Sequence, residues 1–284
     1  MNITKEEMDK IEKILKRVEE RSAEEREKKI LRVTSAEEAE KCIRKYRNKP
    51  ISFGENISLY DAVSSDSRER FGFVGTMIHI LAEIHLRLIT GGSNLEFVSP
   101  EEVGLIMAGL SDIIPKAEQV KWSAYQRRLT IRFAGSTLLT CEGRMEIPVD
   151  LSFKVTGGID AIVKDKNGKI VVIDHKTARR PENKGFWKTK LQIISYAFAA
   201  SEKYNLLPSD KVSVFIGLVN HKEDIEEELK VASNEKIVMY RYKRLEEIIN
   251  SQDNTATPGN HCKYCEVKNC DGRERIPGYT LKML

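Results

Sequence analysis

The sequence lacks the features that mark membrane and secreted proteins. No apolar run approaches the roughly 18 residues that a membrane span needs, and the first ten residues, MNITKEEMDK, contain no apolar stretch that could act as a signal peptide. Neither sign of charge dominates, since 47 basic and 43 acidic residues leave a net charge of +4. We therefore expect a cytoplasmic protein with no membrane contact, in which local clusters of charge select any anionic partner.

Hydrophobic residues make up 40% of the 284 residues, which is enough for a substantial core. Residues 4–31 are predicted to form one long charged helix with a single apolar stripe. Helical periodicity recurs at 36–46, 75–89, 98–118, 188–204 and 234–249. Alternation of apolar and polar residues, or short apolar runs, predicts strands at 128–135, 137–143, 144–149, 151–165, 169–174 and 211–219.

Apolar runs in two of these strands end in charged residues, which the interior of a sheet normally excludes. Asp160 follows an apolar run in 157-GGID-160, and Asp174 follows another in 171-VVID-174. The Asn-Gly turn between the strands predicts a hairpin, so the two carboxylates lie on antiparallel neighbours. Alternation puts Lys176 on the same strand face as Asp174.

Paired carboxylates repel each other unless a cation joins them, and oxygen ligands of this kind suit Mg²⁺ or Mn²⁺. The pattern around Asp160, Asp174 and Lys176 is therefore compatible with a metal site next to an amine. An isolated Asp-x-Lys is more often an ordinary ion pair at the end of a strand, so the pattern needs support from other motifs.

Cations and aromatic residues gather just after this element, in 176-KTARRPENKGFWKTK-190. The mixture suits phosphate contact and base stacking, although a solvated loop has the same composition. The candidate nucleic-acid-binding residues in this run are Arg179, Arg180, Lys184, Trp187 and Lys188.

Four short motifs occur along the chain in a fixed order. They are G-x-x-x-H (75–79), G-G-I-D (157–160), I-D-H-K-T (173–177) and Q-x-x-x-Y-A (192–197). Together they resemble the PD-(D/E)XK nuclease superfamily in its RecB-like exonuclease branch, over about residues 36–272. The resemblance implies an α/β (α+β) restriction-endonuclease-like core, in which helices flank a central mixed β-sheet.

The resemblance also implies a domain division and site roles. Residues 1–33 would be a charged helical extension, 34–272 the nuclease domain and 273–284 a C-terminal tail. The Mg²⁺ or Mn²⁺ ligands would be His79, Asp160, Asp174 and the backbone carbonyl of His175. Lys176 would act on the nucleophilic water, and Gln192 and Tyr196, one helical turn apart, would hold the DNA backbone or the lysine. A histidine on an apolar helix is usually a core residue, so the role of His79 depends on its motif.

Three of the five cysteines form a C-x2-C-x4-C pattern close to the C-terminus, at Cys262, Cys265 and Cys270. In a reducing compartment such a cluster is not expected to form disulfides. Sets of four thiolates hold iron–sulfur clusters or Zn²⁺, so a fourth ligand is needed.

The resemblance implies that the fourth ligand is Cys42, in 42-CIRKY-46. In iron–sulfur members of this branch, such as CRISPR-associated Cas-four and AddB-type nucleases, a [4Fe–4S] cluster joins an early cysteine to three late ones. Cys141 is an alternative fourth ligand, and His261 beside Cys262 leaves Zn²⁺ open as the bound metal.

These observations predict a metal-dependent DNA nuclease. The resemblance implies an exonuclease that acts on single-stranded DNA or DNA ends in repair, recombination, replication or CRISPR adaptation, with a helicase, recombinase or integrase as a partner. The alternative is a catalytically inactive, nucleic-acid-binding scaffold subunit of a helicase–nuclease or integrase complex.

Overall fold

A computed structural model describes residues 30–42, 68–90, 108–109, 116–151, 153–177, 184–251, 257 and 270. Six strands form one sheet within these residues: β1 (Ile30–Arg32), β2 (Thr137–Ile147), β3 (Lys154–Lys164), β4 (Ile170–Lys176), β5 (Lys211–Leu218) and β6 (Ile225–Lys230). The helices are α1 (Val33–Lys41), α2 (Arg68–Ile89), α3 (Lys116–Phe133), α4 (Lys184–Trp187), α5 (Leu191–Lys203) and α6 (Val231–Asn250).

The sheet is mixed, as the sequence predicts. Its order is β1-β3-β4-β5-β6, and β2 pairs with β3 in addition. The turn between β3 and β4 makes them antiparallel, while β4 and β5 are parallel because α5 crosses over between them. The α/β core with helices around a central mixed sheet is confirmed, and it is consistent with a restriction-endonuclease-like fold.

Helices cover both faces of the sheet, and each face has its own apolar core. On one face Val172 of β4 packs in a cluster with residues of α1, α5 and α6. On the other face its neighbours Val171 and Ile173 pack in a cluster with residues of α2 and α3. Because β4 is buried on both faces, its sequence is a continuous apolar run up to the charged residues at its end.

Residues 128–133 of the segment 128–135, predicted as a strand, belong to helix α3, and the last two residues form the turn after it. That prediction is wrong because the buried residues of the segment recur with helical spacing. Trp122, Tyr125, Leu129 and Phe133 face the core, and Ile131, which an alternating strand would bury with Leu129 and Phe133, is 84% exposed. The apparent alternation in RLTIRF came from a single exposed isoleucine.

Other elements differ in smaller ways. The two short strands predicted at 137–143 and 144–149 are one strand, β2. Ile30 and Leu31, predicted as the end of a helix, pair in β1 with β3. Strand β6 was not predicted, because IEEELK has three consecutive glutamates and lies at the edge of the sheet, where most of its side chains are not buried.

Several predictions fall on parts of the chain that the structure does not describe. They are the helix over residues 4–29, most of the helix predicted at 98–118, and the tail at 273–284. The domain boundaries therefore remain predictions. Among the helices that the structure describes, none has the length and apolar character required to cross a membrane.

The contact between Gly157 of β3 and Tyr196 of α5 leads to a test of the packing. A Cβ atom on Gly157 would lie 2.3 Å from Cε1 of Tyr196, whereas one on Gly158 would meet no described atom within 4 Å. We expect Gly157→Ala to lower the free energy of unfolding by roughly 1–3 kcal/mol because the helix must shift. Gly158→Ala should change it by no more than about 0.5 kcal/mol.

Urea unfolding followed by circular dichroism measures the free energy of unfolding of both variants. Equal stabilities for the two would contradict the close approach of α5 to β3.

Candidate active site

The candidate site lies where strands β3 and β4 separate. Residues Ala161–Lys164 of β3 pair with β4, and residues Lys154–Thr156 of β3 pair with β1. The residues between these two segments, Gly157–Asp160, pair with neither β1 nor β4. At this point the backbone N–H of His175 donates a hydrogen bond of 2.5 Å to Oδ2 of Asp160. The carboxylate therefore connects the two strands where their backbone pairing has ended.

Asp174 and Lys176, predicted to share a strand face, form an ion pair. Nζ of Lys176 lies 2.9 Å from Oδ1 and 2.7 Å from Oδ2 of Asp174, although only the Oδ1 contact has regular hydrogen-bond geometry. Burial raises the pKa of Asp174, and the neighbouring ammonium only partly opposes this. Burial also disfavours the charged form of Lys176, but the carboxylate of Asp174 outweighs it and raises the lysine pKa.

His79 reaches the same place from helix α2. Its Nδ1 lies 3.4 Å from Oδ1 of Asp160. Burial alone would raise the pKa of Asp160, but the interactions with His79 and His175 lower it to about 2. The structure thus places His79 beside Asp160 and Lys176 beside Asp174, with the charge of Asp160 acting on Asp174, and it keeps Asp160 ionised at neutral pH.

Helix α5 presents the residues of the fourth motif. Oε1 of Gln192 accepts a hydrogen bond of 3.0 Å from Nζ of Lys190, and its Nε2 donates one of 3.3 Å to the hydroxyl of Tyr196. Lys190 also lies over the ring of Trp187, with Nζ 5.2 Å from the ring centroid. Burial lowers the pKa of Lys190, and the charge of Lys176 contributes to this shift.

Glu37 of helix α1 is a site neighbour that the sequence analysis missed. Its Oε1 accepts a hydrogen bond of 2.7 Å from the backbone N–H of Gln192, at the start of α5. The N-cap residue of α5, Lys190, provides no side-chain cap of its own. The charge of Glu37 also contributes to raising the pKa of Lys176. Nothing in the sequence indicates a contact between Glu37 and a helix that starts more than 150 residues later. The segment 36-AEEAEK-41 has the composition of a solvent-exposed helix face.

The predicted nucleic-acid-binding residues have mixed outcomes. Arg179, Arg180 and the side chain of Lys184 lie outside the described residues. Trp187 is only 3% exposed and belongs to the core, so in this structure its ring offers no free face for base stacking. Lys188 forms an ion pair of 2.7 Å with Glu227.

The cysteine prediction is only partly covered by the described residues. Cys42 and Cys270 are both buried, at 4% and 8% exposure, and Cys141 is partly buried in β2. Cys262 and Cys265 lie outside the described part of the chain. Within that part, no three His, Cys, Asp or Glu residues form a group that could hold a metal ion.

The donor types around Asp160 and Asp174 nevertheless fit a hard divalent cation. Oδ2 of Asp174 is buried and accepts no hydrogen bond of regular geometry from a described residue. Carboxylate and carbonyl oxygens are the ligands that Mg²⁺ and Mn²⁺ prefer. A cation at this place would also relieve the repulsion between the two carboxylates, which contributes to the raised pKa of Asp174.

A mixed sheet with two aspartates and a lysine at the point where two strands separate is the arrangement of a class of nucleases. The model of the PD-(D/E)XK nuclease superfamily matches residues 30–270 of this chain. The match spans most of the sequence, so the protein belongs to the PD-(D/E)XK nuclease superfamily.

Other comparisons add little. No curated protein matches the chain significantly. A solved structure described as "Crystal structure of SSO0001" is 16% identical and has a TM-score of 0.41, over 95% of this chain and 96% of that chain. A similarity at that level supports no conclusion about the activity of this protein.

The contact of Glu37 with helix α5 yields a second prediction. Glu37→Leu removes the acceptor for the Gln192 N–H, so we expect a loss of about 1 kcal/mol in the free energy of unfolding and faster hydrogen exchange at that amide. Glu37→Gln keeps an oxygen acceptor and should retain most of the protection.

Amide hydrogen exchange measured by NMR gives the rate at Gln192 in each variant. Glu40→Leu is the matched control, since Glu40 lies in the same helix as Glu37 and the substitution breaks its ion pair with Arg241 of α6. An unchanged exchange rate in Glu37→Leu would argue against the cap.

Proposed function

We propose that the protein is a divalent-metal-dependent deoxyribonuclease that hydrolyses phosphodiester bonds. The observation that carries the proposal is the convergence of Asp160, Asp174 and Lys176 in a member of a nuclease superfamily. Structural ion pairs also join aspartate and lysine, but they do not usually bury a carboxylate at 2% side-chain exposure close to a second carboxylate, here Asp160 inside the neighbouring strand β3.

His79, Asp160, Asp174 and the backbone carbonyl of His175 would hold the Mg²⁺ or Mn²⁺. When bound, the metal would supply positive charge to the phosphate oxygens and favour ionisation of the attacking water. These residues thus define where the scissile phosphate binds.

Lys176 acts as a cation in this proposal, not as a base. Its raised pKa keeps it protonated at neutral pH, so it cannot accept a proton from water. An ammonium can donate hydrogen bonds to the water oxygen and to the phosphate, and it offsets negative charge that develops in the transition state. Its side chain is 22% exposed, so part of it remains accessible from solvent.

The start of helix α5 lies beside this amine. Gln192 connects Lys190 to Tyr196, and the charge of Lys190 influences Asp174. Tyr196 is 2% exposed and Gln192 9%, so this arrangement supports a role for the two residues in positioning the amine of Lys190 beside Lys176, not in contacting the DNA backbone themselves. The G-x-x-x-H and Q-x-x-x-Y motifs favour the RecB-like branch, and with it an exonuclease that acts on single-stranded DNA or DNA ends with a helicase, recombinase or integrase partner.

Nuclease assays on end-labelled single-stranded and double-stranded DNA test the proposal, with Mg²⁺, Mn²⁺ or EDTA. We expect cleavage by the wild type only with metal, and a loss of about 100-fold or more in Lys176→Met, because the transition-state charge loses its partner. Lys169→Met is the control, since Lys169 is exposed and pairs with Glu228.

Metal-independent cleavage, or equal rates for Lys176→Met and the wild type, would overturn the proposed chemistry. Binding of DNA without cleavage in any metal would favour the scaffold function instead. The order in which labelled products appear distinguishes exonuclease from endonuclease action and gives the polarity.

We also propose that Cys42, Cys262, Cys265 and Cys270 hold a [4Fe–4S] cluster. The burial of both Cys42 and Cys270 supports this, because cluster thiolates are shielded from solvent. Protein purified without oxygen should contain about four iron and four sulfide ions per chain, and Cys262→Ser should lose them.

Cys141→Ser is expected to keep the cluster. Loss of iron in Cys141→Ser would make Cys141 the fourth ligand, and stoichiometric zinc in place of iron would identify a zinc site.

A further inference from the structure

Tyr125 of helix α3 contacts the candidate site from inside the protein. Its side chain is fully buried, and its hydroxyl lies 2.5 Å from Nδ1 of His175. Burial lowers the pKa of His175 to about 4 and raises that of Tyr125, so at neutral pH the imidazole is uncharged and the phenol keeps its proton. The hydroxyl and Nδ1 therefore share one hydrogen bond, and the tautomer of the imidazole sets which of the two atoms donates.

His175 is the residue through which this hydrogen bond reaches the site. Its backbone N–H donates to Oδ2 of Asp160 at 2.5 Å, and its ring packs edge-on against His79 at 5.7 Å between centroids. It also lies between Asp174 and Lys176 in strand β4. A change in the orientation of His175 would therefore be transmitted to two of the proposed metal ligands, Asp160 and His79.

The surroundings of Tyr125 hold its hydroxyl in place. Gly217 lies opposite His175 in the register of β4 and β5, and a Cβ atom there would be 1.8 Å from the tyrosine hydroxyl oxygen. The guanidinium of Arg128 lies 5.2 Å from the centroid of the Tyr125 ring, and Asp224 holds Arg128 through hydrogen bonds of 2.7 and 3.1 Å. The glycine provides the space, and the arginine restrains the ring.

We propose that Tyr125 is a positioning residue of the metal site. By fixing the His175 side chain it orients the backbone of His175, and through the His175 N–H it orients the carboxylate of Asp160. The inference rests on the proposed metal-dependent function, because it assigns Tyr125 to the support of those ligands.

A second buried tyrosine provides a matched control. Tyr242 of α6 is also fully buried, and its hydroxyl lies 3.1 Å from Oγ of Ser195. It belongs to the core on the other face of the sheet, and it contacts none of the proposed metal ligands through a hydrogen bond among the described residues. Tyr125→Phe and Tyr242→Phe therefore each remove one buried hydroxyl oxygen. Only the Tyr125 hydroxyl is hydrogen-bonded to His175, which contacts the proposed metal ligands.

The experiment measures Mn²⁺ affinity of the full-length protein by electron paramagnetic resonance of free Mn²⁺. Removing an outer partner of a metal ligand typically weakens binding 10–100-fold, so we expect a dissociation constant about 10-fold higher for Tyr125→Phe. Tyr242→Phe should bind Mn²⁺ as the wild type does, even where its melting temperature falls by as much as that of Tyr125→Phe.

A double-mutant cycle tests whether Tyr125 acts on the metal site through the side chain of His175. If Tyr125 acts through the imidazole, Tyr125→Phe weakens Mn²⁺ binding no further in a His175→Leu background. A further loss in that background, or wild-type affinity in Tyr125→Phe, would overturn the inference and leave the nuclease proposal standing. Absence of Mn²⁺ binding by the wild type would overturn the metal-dependent function itself, and the inference with it.

Discussion

The hydrogen bond from the backbone N–H of His175 to the carboxylate of Asp160 is the contact on which the candidate site depends. A backbone N–H that leaves a sheet inside a protein needs another acceptor, since an unsatisfied one costs about 1–3 kcal/mol. Here the acceptor is a side chain of the neighbouring strand. The strands can therefore separate without an unpaired amide, and the separation creates room for charged groups at a sheet that is otherwise apolar on both faces.

Each carboxylate at this site has a hydrogen-bond donor or a cationic group beside it. Asp160 faces His79, Asp174 faces Lys176, and Glu37 receives the amide of Gln192 close to Lys190. A single carboxylate buried to this extent would take up a proton, because burial favours the neutral form. The neighbouring donors hold Asp160 ionised, while Asp174 retains a raised pKa. The ammonium of Lys176 compensates the negative charge of Asp174 only in part, so an additional cation would stabilise the ionised form of this carboxylate.

The sequence was informative where a local pattern determines the structure. The turn at 165–169 and the apolar runs before Asp160 and Asp174 predicted the antiparallel pair, and alternation placed Lys176 beside Asp174. It failed where contacts are distant or patterns are short. Glu37 and Tyr125 approach the site from helices far away in sequence, and nothing in their local sequence indicates a partner. Strand β6 was missed because an edge strand need not alternate strongly, and α3 was misread from six residues.

Two glycines in the sheet explain how distant helices come so close to the site. Gly157 of β3 admits the ring of Tyr196, and Gly217 of β5 admits the hydroxyl of Tyr125. A glycine inside a strand gives up side-chain packing and costs backbone entropy, and at these two positions it permits a close approach that a Cβ atom would block. One tyrosine comes from the cluster of α5 and the other from that of α3, on opposite faces of the sheet. Each tyrosine ends beside a residue of the candidate site, Gln192 in one case and His175 in the other. The separated segments of β3 and β4 are thus held from both faces of the sheet. This allows a charged, partly open site to keep a fixed geometry although the two strands are no longer paired with each other there.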